Sequence, residues 1–276
     1  MDVRTQERIP NVLTIAGIDP SGGAGLLADV KAMSALGVYA AGVPTALTAQ
    51  NTRGVTGVLG IPADFVGEEL EAVFSDLRVD AVKIGMLNDA GVIETVAAAL
   101  ERWRPRWIVL DPVMVAKSGD ALLRPEALGA MKTRLLPLAH VATPNLPEAA
   151  ALLGDARLAA DRAGMEETGR RLGGLFGTPW VLVKGGHLGG AASPDCLVGP
   201  EGEVRWFEAP RTETKNTHGT GCTLSSAIAA LLARTGDVPE AVRLAKDYLT
   251  GAVANADRLD AGGGHGPTHH FWALWK

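Results

Sequence analysis

Only two of the 276 residues are cysteine, Cys196 and Cys222, which is too few for a disulfide framework or a zinc-binding spacing. That scarcity suits free thiols in a reducing compartment, so the cytoplasm is the expected location. Runs of Lys and Arg interleaved with aromatics are missing, and the net charge is −5, so no nucleic-acid surface is expected. The opening MDVRTQER is charged and polar, which leaves no secretory apolar segment there. Residues 32–52 carry no charge, yet Gly37, Gly42, Pro44, Gln50 and Asn51 interrupt them. That stretch reads as a helix end followed by a buried strand, so no membrane span is expected. The P-loop pattern GxxxxGK[ST] is also absent.

What remains is ordinary globular composition, 47% hydrophobic and 21% charged, on a chain long enough for a sizeable core. Apolar runs of strand length alternate with helical patterns. Strands are predicted at 12–17, 43–48, 55–61, 81–86, 107–111, 141–145 and 180–186. Helices are predicted after the first glycine-rich turn, from Pro62 (with Val66, Leu70, Val73 and Leu77 on one face), over 89–103, from Pro125, over 162–176, and near 222–235 and 238–259. DCLVG and EVRWFEA form a predicted hairpin with PEG at its turn. Alternation of this kind implies an α/β three-layer sandwich, a mostly parallel central sheet with helices on both faces. No linker-like or low-complexity segment divides the chain, so one domain over residues 1–276 is expected.

In such sheets ligands sit at the carboxyl ends of strands. Polar and glycine-rich segments gather at those places: AGIDPSGGAG, Gln50, IGM, DPVM, TPNLPE and KGGH. Gly23 to Ala28 match a lenient dinucleotide fingerprint, but no acid follows the second strand until Asp64 to hold a ribose. HGTGC is a different kind of signal. Gly219 and Gly221 let backbone N–H groups turn towards an anion, and the helix that begins there adds its positive end. The same helix terminus is expected to lower the pKa of the Cys222 thiol and favour thiolate, a form able to take a proton from a substrate hydroxyl. The plainer reading of Cys222 is a small buried residue.

HGTGC, AGIDPSGGAG, KIGML, DPVMVAKSGD, TPNLPEA and KGGH, in that family's order and over nearly the whole chain, resemble the hydroxymethylpyrimidine and phosphomethylpyrimidine kinases of thiamine biosynthesis. These belong to the ribokinase-like superfamily, most of which carries an aspartate base where this chain has Cys222. The resemblance implies an ATP-dependent kinase using Mg2+, two successive phosphorylations (of hydroxymethylpyrimidine and then of its phosphate), and a homodimer. It implies Cys222 as the base and the amides of Gly219, Thr220, Gly221 and Cys222 as an anion hole. Lys184 would meet ATP phosphates, with Thr217 and His218 on the nucleotide side. Asp111, Asn145 and Glu148 would support the metal, although Asn-x-x-Glu before a helix is by itself a plain capping pair. Gly17, Asp29, Gln50, Met86 and Val113 would hold the pyrimidine, with Gln50 offering a donor and an acceptor to the ring edge. The loop Lys117 to Asp120 would cover the site, and His187 ranks below Lys184 as a phosphate contact. Two other functions compete: a pyridoxal or pyridoxine kinase using the same site, and a non-catalytic pyrimidine-binding protein.

Overall fold

The computed structural model describes residues 8–114, 126–186 and 188–275. Its centre is a nine-stranded sheet. Six strands run parallel: β2 (Tyr39–Asn51), β1 (Asn11–Ile18), β4 (Ala81–Ile84), β5 (Trp107–Leu110), β6 (Val141–Ala142) and β7 (Trp180–Lys184), in that spatial order. The outer strands are antiparallel: β3 (Gly54–Gly60) beside β2, and the hairpin β8 (Asp195–Val198) and β9 (Val204–Phe207) beyond β7.

The central strands are buried on both faces, which is why they read as near-continuous apolar runs. Val12, Ala81, Val109, Val141 and Leu182 face α1 (Gly25–Ala35), α7 (Thr220–Thr235) and α8 (Val238–Ala254). Leu13, Ile15, Val82, Ile84 and Leu110 face the layer that contains α2 (Ala63–Asp76), α3 (Ala90–Trp103), α5 (Leu146–Leu153) and α6 (Arg162–Phe176). Between α3 and α5, α4 (Ala127–Ala130) continues into a π-turn at Met131–Leu135 and a 3-10 turn at Leu136–Leu138. The expected three-layer architecture is present.

Several boundaries differ from the sequence reading, each for a local reason. The expected strand 141–145 stops after Ala142; Pro144 has no N–H for the ladder. The helix after Pro62 buries Val66, Leu70 and Phe74, while Leu77 serves as its C-cap. The last long helix ends at Ala254 rather than 259, with a 3-10 turn over Ala256–Arg258. Pro125 and the loop Lys117 to Asp120 lie outside the described residues, as does His187.

α7 is apolar almost all round, with Thr223 to Leu232 all buried, so it crosses the sheet as the centre of its layer. Its N-terminus arrives over the carboxyl ends of the parallel strands. The spatial strand order reverses beside β1, between β2 and β4, and that switch point is where the loops part to leave a cleft.

Candidate active site

The cleft is a cavity of about 760 Å³. Nearly every sequence-predicted residue lines it: Gly17, Gln50, Met86, Asp111, Val113, Asn145, Glu148, Lys184, and Thr217 through Cys222. Their gathering follows from parallel pairing, which places the ends of β1, β4, β5, β6 and β7 along one rim.

Two loops from distant parts of the chain meet at the mouth. Asp19 organises the first, accepting hydrogen bonds from the Ser21 N–H (2.9 Å), the Ser21 hydroxyl (2.7 Å) and the Ala24 N–H (3.0 Å). The second loop supplies His218, whose Nε2 lies 2.7 Å from Asp19 Oδ2. Burial works to raise the pKa of Asp19, but the His218 and Ser21 bonds outweigh it and hold the carboxyl below its ordinary value. Gly219 follows with φ 76°, and a Cβ there would collide with the Gly23 carbonyl oxygen. Glycine is therefore demanded twice, by the left-handed backbone and by the contact. No side chain caps α7; the Thr220 N–H lies 3.5 Å from the Thr217 carbonyl oxygen, and the terminus otherwise opens on the cavity, where an anion would meet it.

Facing that terminus is a buried charge cluster. Lys184 Nζ lies 2.7 Å from Asp111 Oδ1 and 3.9 Å from Glu148 Oε2. Asn145 and Glu148 do form the capping box of α5, with Asn145 N–H bonded to Glu148 Oε2 (2.8 Å) and Glu148 N–H to Asn145 Oδ1 (2.9 Å). The capping and site roles are compatible, because Glu148 also lines the cavity. Burial pushes Glu148 up to about 7; Lys184 opposes the rise and Asp111 adds to it. Burial acts to raise Asp111 too, but Lys184 and Lys83 hold it below the usual carboxylate range.

Glu148 ties stability to pH. It keeps its proton up to about pH 7 in the fold, against 4.5 for the ordinary group. The folded state thus binds more protons between those values, and stability falls as pH rises through the window. Glu148→Gln, which mimics the protonated form, is expected to stabilise the ligand-free protein at pH 8 by on the order of 1–3 kcal/mol. The gain should read as a Tm rise of roughly 2–6 °C in a thermal melt, and it should vanish near pH 4.5. Equal melting temperatures at pH 8 would contradict the burial argument.

At the other end of the cleft, the Gly17 N–H donates to the Met86 carbonyl oxygen (3.2 Å), and Thr45 Oγ1 donates to the same oxygen (2.6 Å). Gln50 Nε2 sits 3.4 Å from His218 Nε2. The sequence places His218 on the nucleotide side. Its ring stands beside Gln50, held there by Asp19, and lines the cavity together with Thr217 and Gly219.

Two expectations are corrected. Asp29 does not line the cavity. It is fully buried, accepting from Lys83 Nζ (2.7 Å), Thr14 Oγ1 (2.6 Å) and Ser226 Oγ (2.7 Å). The Cys222 thiol is not acidified. Burial pushes it up to about 11, with Asp29 and Asp111 adding to the rise; Lys83 and the Gly25 N–H directed at the sulfur only partly offset this. Desolvation by burial is the largest influence on the thiol.

Lys83, Asp19, Lys246 and Asp195 are site residues that the sequence reading passed over. Lys83 stands in the middle of the buried strand AVKI and is fully buried yet lines the cavity; a charge inside an otherwise apolar strand was the available signal. Lys246 Nζ pairs with Asp195 Oδ2 (2.6 Å), and Asp195 Oδ1 accepts the Gly185 N–H (3.0 Å), which fixes the backbone just after Lys184. No sequence pattern links 246 to 195.

Residues 19–269 match the family model described as phosphomethylpyrimidine kinase. A hydroxymethylpyrimidine/phosphomethylpyrimidine kinase of Escherichia coli is 55% identical over 265 residues, covering 96% of this chain and 98% of that protein. A phosphomethylpyrimidine kinase structure from Clostridium difficile superposes with TM-score 0.78 at 41% identity, covering 88% of this chain and 99% of that one. An ADP complex of Bacillus subtilis pyridoxal kinase superposes with TM-score 0.86 at 33% identity, covering 95% and 98%. Among the described residues, no helix is long and apolar enough to cross a membrane.

Proposed function

Because this chain belongs to the phosphomethylpyrimidine kinase family, we propose that it uses ATP to phosphorylate 4-amino-5-hydroxymethyl-2-methylpyrimidine and then its monophosphate, giving the diphosphate used in thiamine biosynthesis. The protein is a phosphotransferase with the ribokinase-like fold. The single observation that carries the reading is the meeting of an uncapped helix N-terminus, Lys184 and Cys222 in one cleft.

A phosphoryl group in transfer needs fixed positive dipoles and in-line positioning more than covalent help. The amides from Gly219 to Cys222 and the Lys184 ammonium would surround the γ-phosphoryl group. Cys222 takes the proton from the substrate CH2OH as its oxygen forms the new bond to phosphorus. The bond from phosphorus to the ADP oxygen breaks, and ADP leaves. A thiol pushed up to about 11 by burial is mostly protonated at neutral pH, and its thiolate is a strong proton acceptor. Gln50, Met86, Gly17 and Val113 would hold the pyrimidine ring.

Asp111 and Glu148, with Asn145, are the residues that would hold magnesium, largely through water. Two buried carboxylates with few other oxygen ligands suit a cation that keeps several waters. Glu148, so poorly solvated that it favours a proton, gains a partner when a cation arrives. When bound, the ion neutralises charge on the phosphate oxygens. We further assign the protein to the cytoplasm as a homodimer. Val58 and Leu59 on the outermost strand β3 are 43% and 67% exposed, an apolar edge that pairing would cover.

The competing substrate is pyridoxal, favoured by the close superposition with the Bacillus subtilis enzyme. Purified protein with ATP, magnesium and each alcohol decides between them. Mass spectrometry should detect first the mono- and then the diphosphorylated pyrimidine, with lower kcat/KM for pyridoxal. Equal or greater kcat/KM for pyridoxal would overturn the assignment, and binding of the pyrimidine without any ATP-dependent product would favour a non-catalytic role.

A further inference from the structure

Gln50 stands near the end of β2 and lines the cleft. One end of its side-chain amide lies 3.1 Å from Thr48 Oγ1, and the other lies 3.4 Å from His218 Nε2. An amide has a donor end and an acceptor end of nearly the same size, so its neighbours decide which end points where. Both neighbours are already committed. Thr48 has a single hydroxyl proton, and Oγ1 directs it at the Ile18 carbonyl oxygen (2.9 Å), which can only accept. Towards Gln50, therefore, Thr48 acts as an acceptor. His218 Nε2 lies 2.7 Å from Asp19 Oδ2. That carboxylate accepts from the Ser21 N–H, the Ser21 hydroxyl and the Ala24 N–H, and it is held below its ordinary pKa, so it has no proton to give. His218 Nε2 must then carry a hydrogen and act as a donor. The histidine is also fixed in place. Its backbone N–H donates to the Gly266 carbonyl oxygen (3.0 Å), and its ring packs so closely on Gly23 that a Cβ there would strike it.

With Oε1 at Thr48 and Nε2 at His218, an acceptor stands beside a committed hydroxyl and two N–H donors face each other. A half-turn of the amide removes both conflicts. Its NH2 then donates to Thr48 Oγ1, and its oxygen faces the His218 N–H. We propose that Thr48 and the Asp19–His218 pair are positioning residues that hold the Gln50 amide in this sense, and so set which way round the pyrimidine ring enters. The inference rests on Gln50 as the contact for the ring edge. A 4-aminopyrimidine presents an acceptor, N3, next to a donor, the 4-amino group. Against the fixed amide, N3 meets the NH2 on the Thr48 side, and the amino group meets the oxygen on the His218 side. The 5-hydroxymethyl group is the next substituent beyond the amino group. It therefore lies on the His218 side, where Gly219 to Cys222 follow directly in the chain. With the amide reversed, the amino and hydroxymethyl groups would lie on the Thr48 side instead.

The test compares two alcohols, 4-amino-5-hydroxymethyl-2-methylpyrimidine and its 4-oxo counterpart, whose N3–H donates and whose 4-oxygen accepts. Wild type should prefer the amino compound by at least about 10²-fold in kcat/KM, because the oxo compound mismatches two polar groups at once. Thr48→Val keeps the side-chain shape and leaves the Asp19–His218 pair untouched, but it frees one end of the amide. His218→Phe keeps a ring and frees the other end. In each variant the amino-to-oxo preference should fall by about threefold to thirtyfold, with thermal melts on the same samples to confirm folding. Loosening of the cleft alone would lower kcat/KM for both alcohols equally and leave the ratio as it was. An unchanged ratio in folded Thr48→Val overturns the proposal, whether or not His218→Phe folds. Gln50→Ala separates the two readings. It should erase the preference; if the preference survived there, Gln50 would not be the ring contact, and the placement of the pyrimidine would fail together with this inference.

Discussion

Cys222→Ala should fold as the wild type does and lose about 10²–10⁴-fold in kcat, the usual worth of a positioned general base. The thiol is half-buried at the floor of the cleft, and replacing it by a methyl group gives up the contact with the Gly25 N–H and creates little cavity. Stability is therefore expected to change by less than about 1 kcal/mol. KM for ATP should hold, because the amides of the α7 terminus and Lys184 are untouched. Cys222→Ser should fall as far, since a hydroxyl is a poorer proton acceptor than a thiolate at any workable pH. Steady-state kinetics with a thermal melt on the same samples check the result. Unchanged turnover in a folded protein would mean that the substrate hydroxyl loses its proton elsewhere.

Gly219→Ala should cost at least about 10²-fold in kcat/KM, the scale of a misplacement near 1 Å in a positioned site. Two costs add. The left-handed backbone at φ 76° disfavours any residue with a Cβ by roughly 1–2 kcal/mol. The new methyl group also strikes the carbonyl of Gly23, so the loop carrying Asp19 and the loop carrying His218 must separate. Both loops line the cavity, and the ring of amides proposed to surround the transferring group would be broken. The melting temperature should fall with activity. Gly174→Ala is the contrast: that glycine lies exposed within α6, with nothing within 4 Å of an added methyl group, and alanine there should stabilise by roughly 0.5–1 kcal/mol. If both variants behaved alike, the steric account of residue 219 would be wrong.

The sequence announces local features well and paired charges poorly. Helix 162–176 is legible to the residue because its punctuation is local: Asp161 caps Gly164 N–H at 2.8 Å, and Gly177 closes the helix in the left-handed region. The gathering of the loops along one rim is legible too, since parallel pairing brings the carboxyl ends of the strands together, although the end of β6 itself is not. Cys222 shows the limit. Its place at a helix start is readable, and local reasoning favours thiolate. The burial and the carboxylates of Asp29 and Asp111 that raise it come from residues far away in the chain. Asp29 fails for the same reason, as its partners Thr14, Lys83 and Ser226 lie on three different elements. His218 reads as a phosphate contact from its glycine neighbours alone, and nothing near it in the chain points to Asp19.

The span of the loop junction also sets a timetable. Asp19 and His218 are 199 positions apart, and Asp29 and Ser226 are 197 apart. At about 5–20 residues per second on the ribosome, the first loop waits on the order of 10–40 s for its counterpart to be made. Thr14 and Lys83 are synthesised early, so Asp29 has its cation long before Ser226 arrives. The parallel centre can settle around that pair while the mouth stays open. Competence for phosphoryl transfer thus arrives late in synthesis, and a nascent chain halted before residue 216 carries the Asp19 loop with nothing to close against.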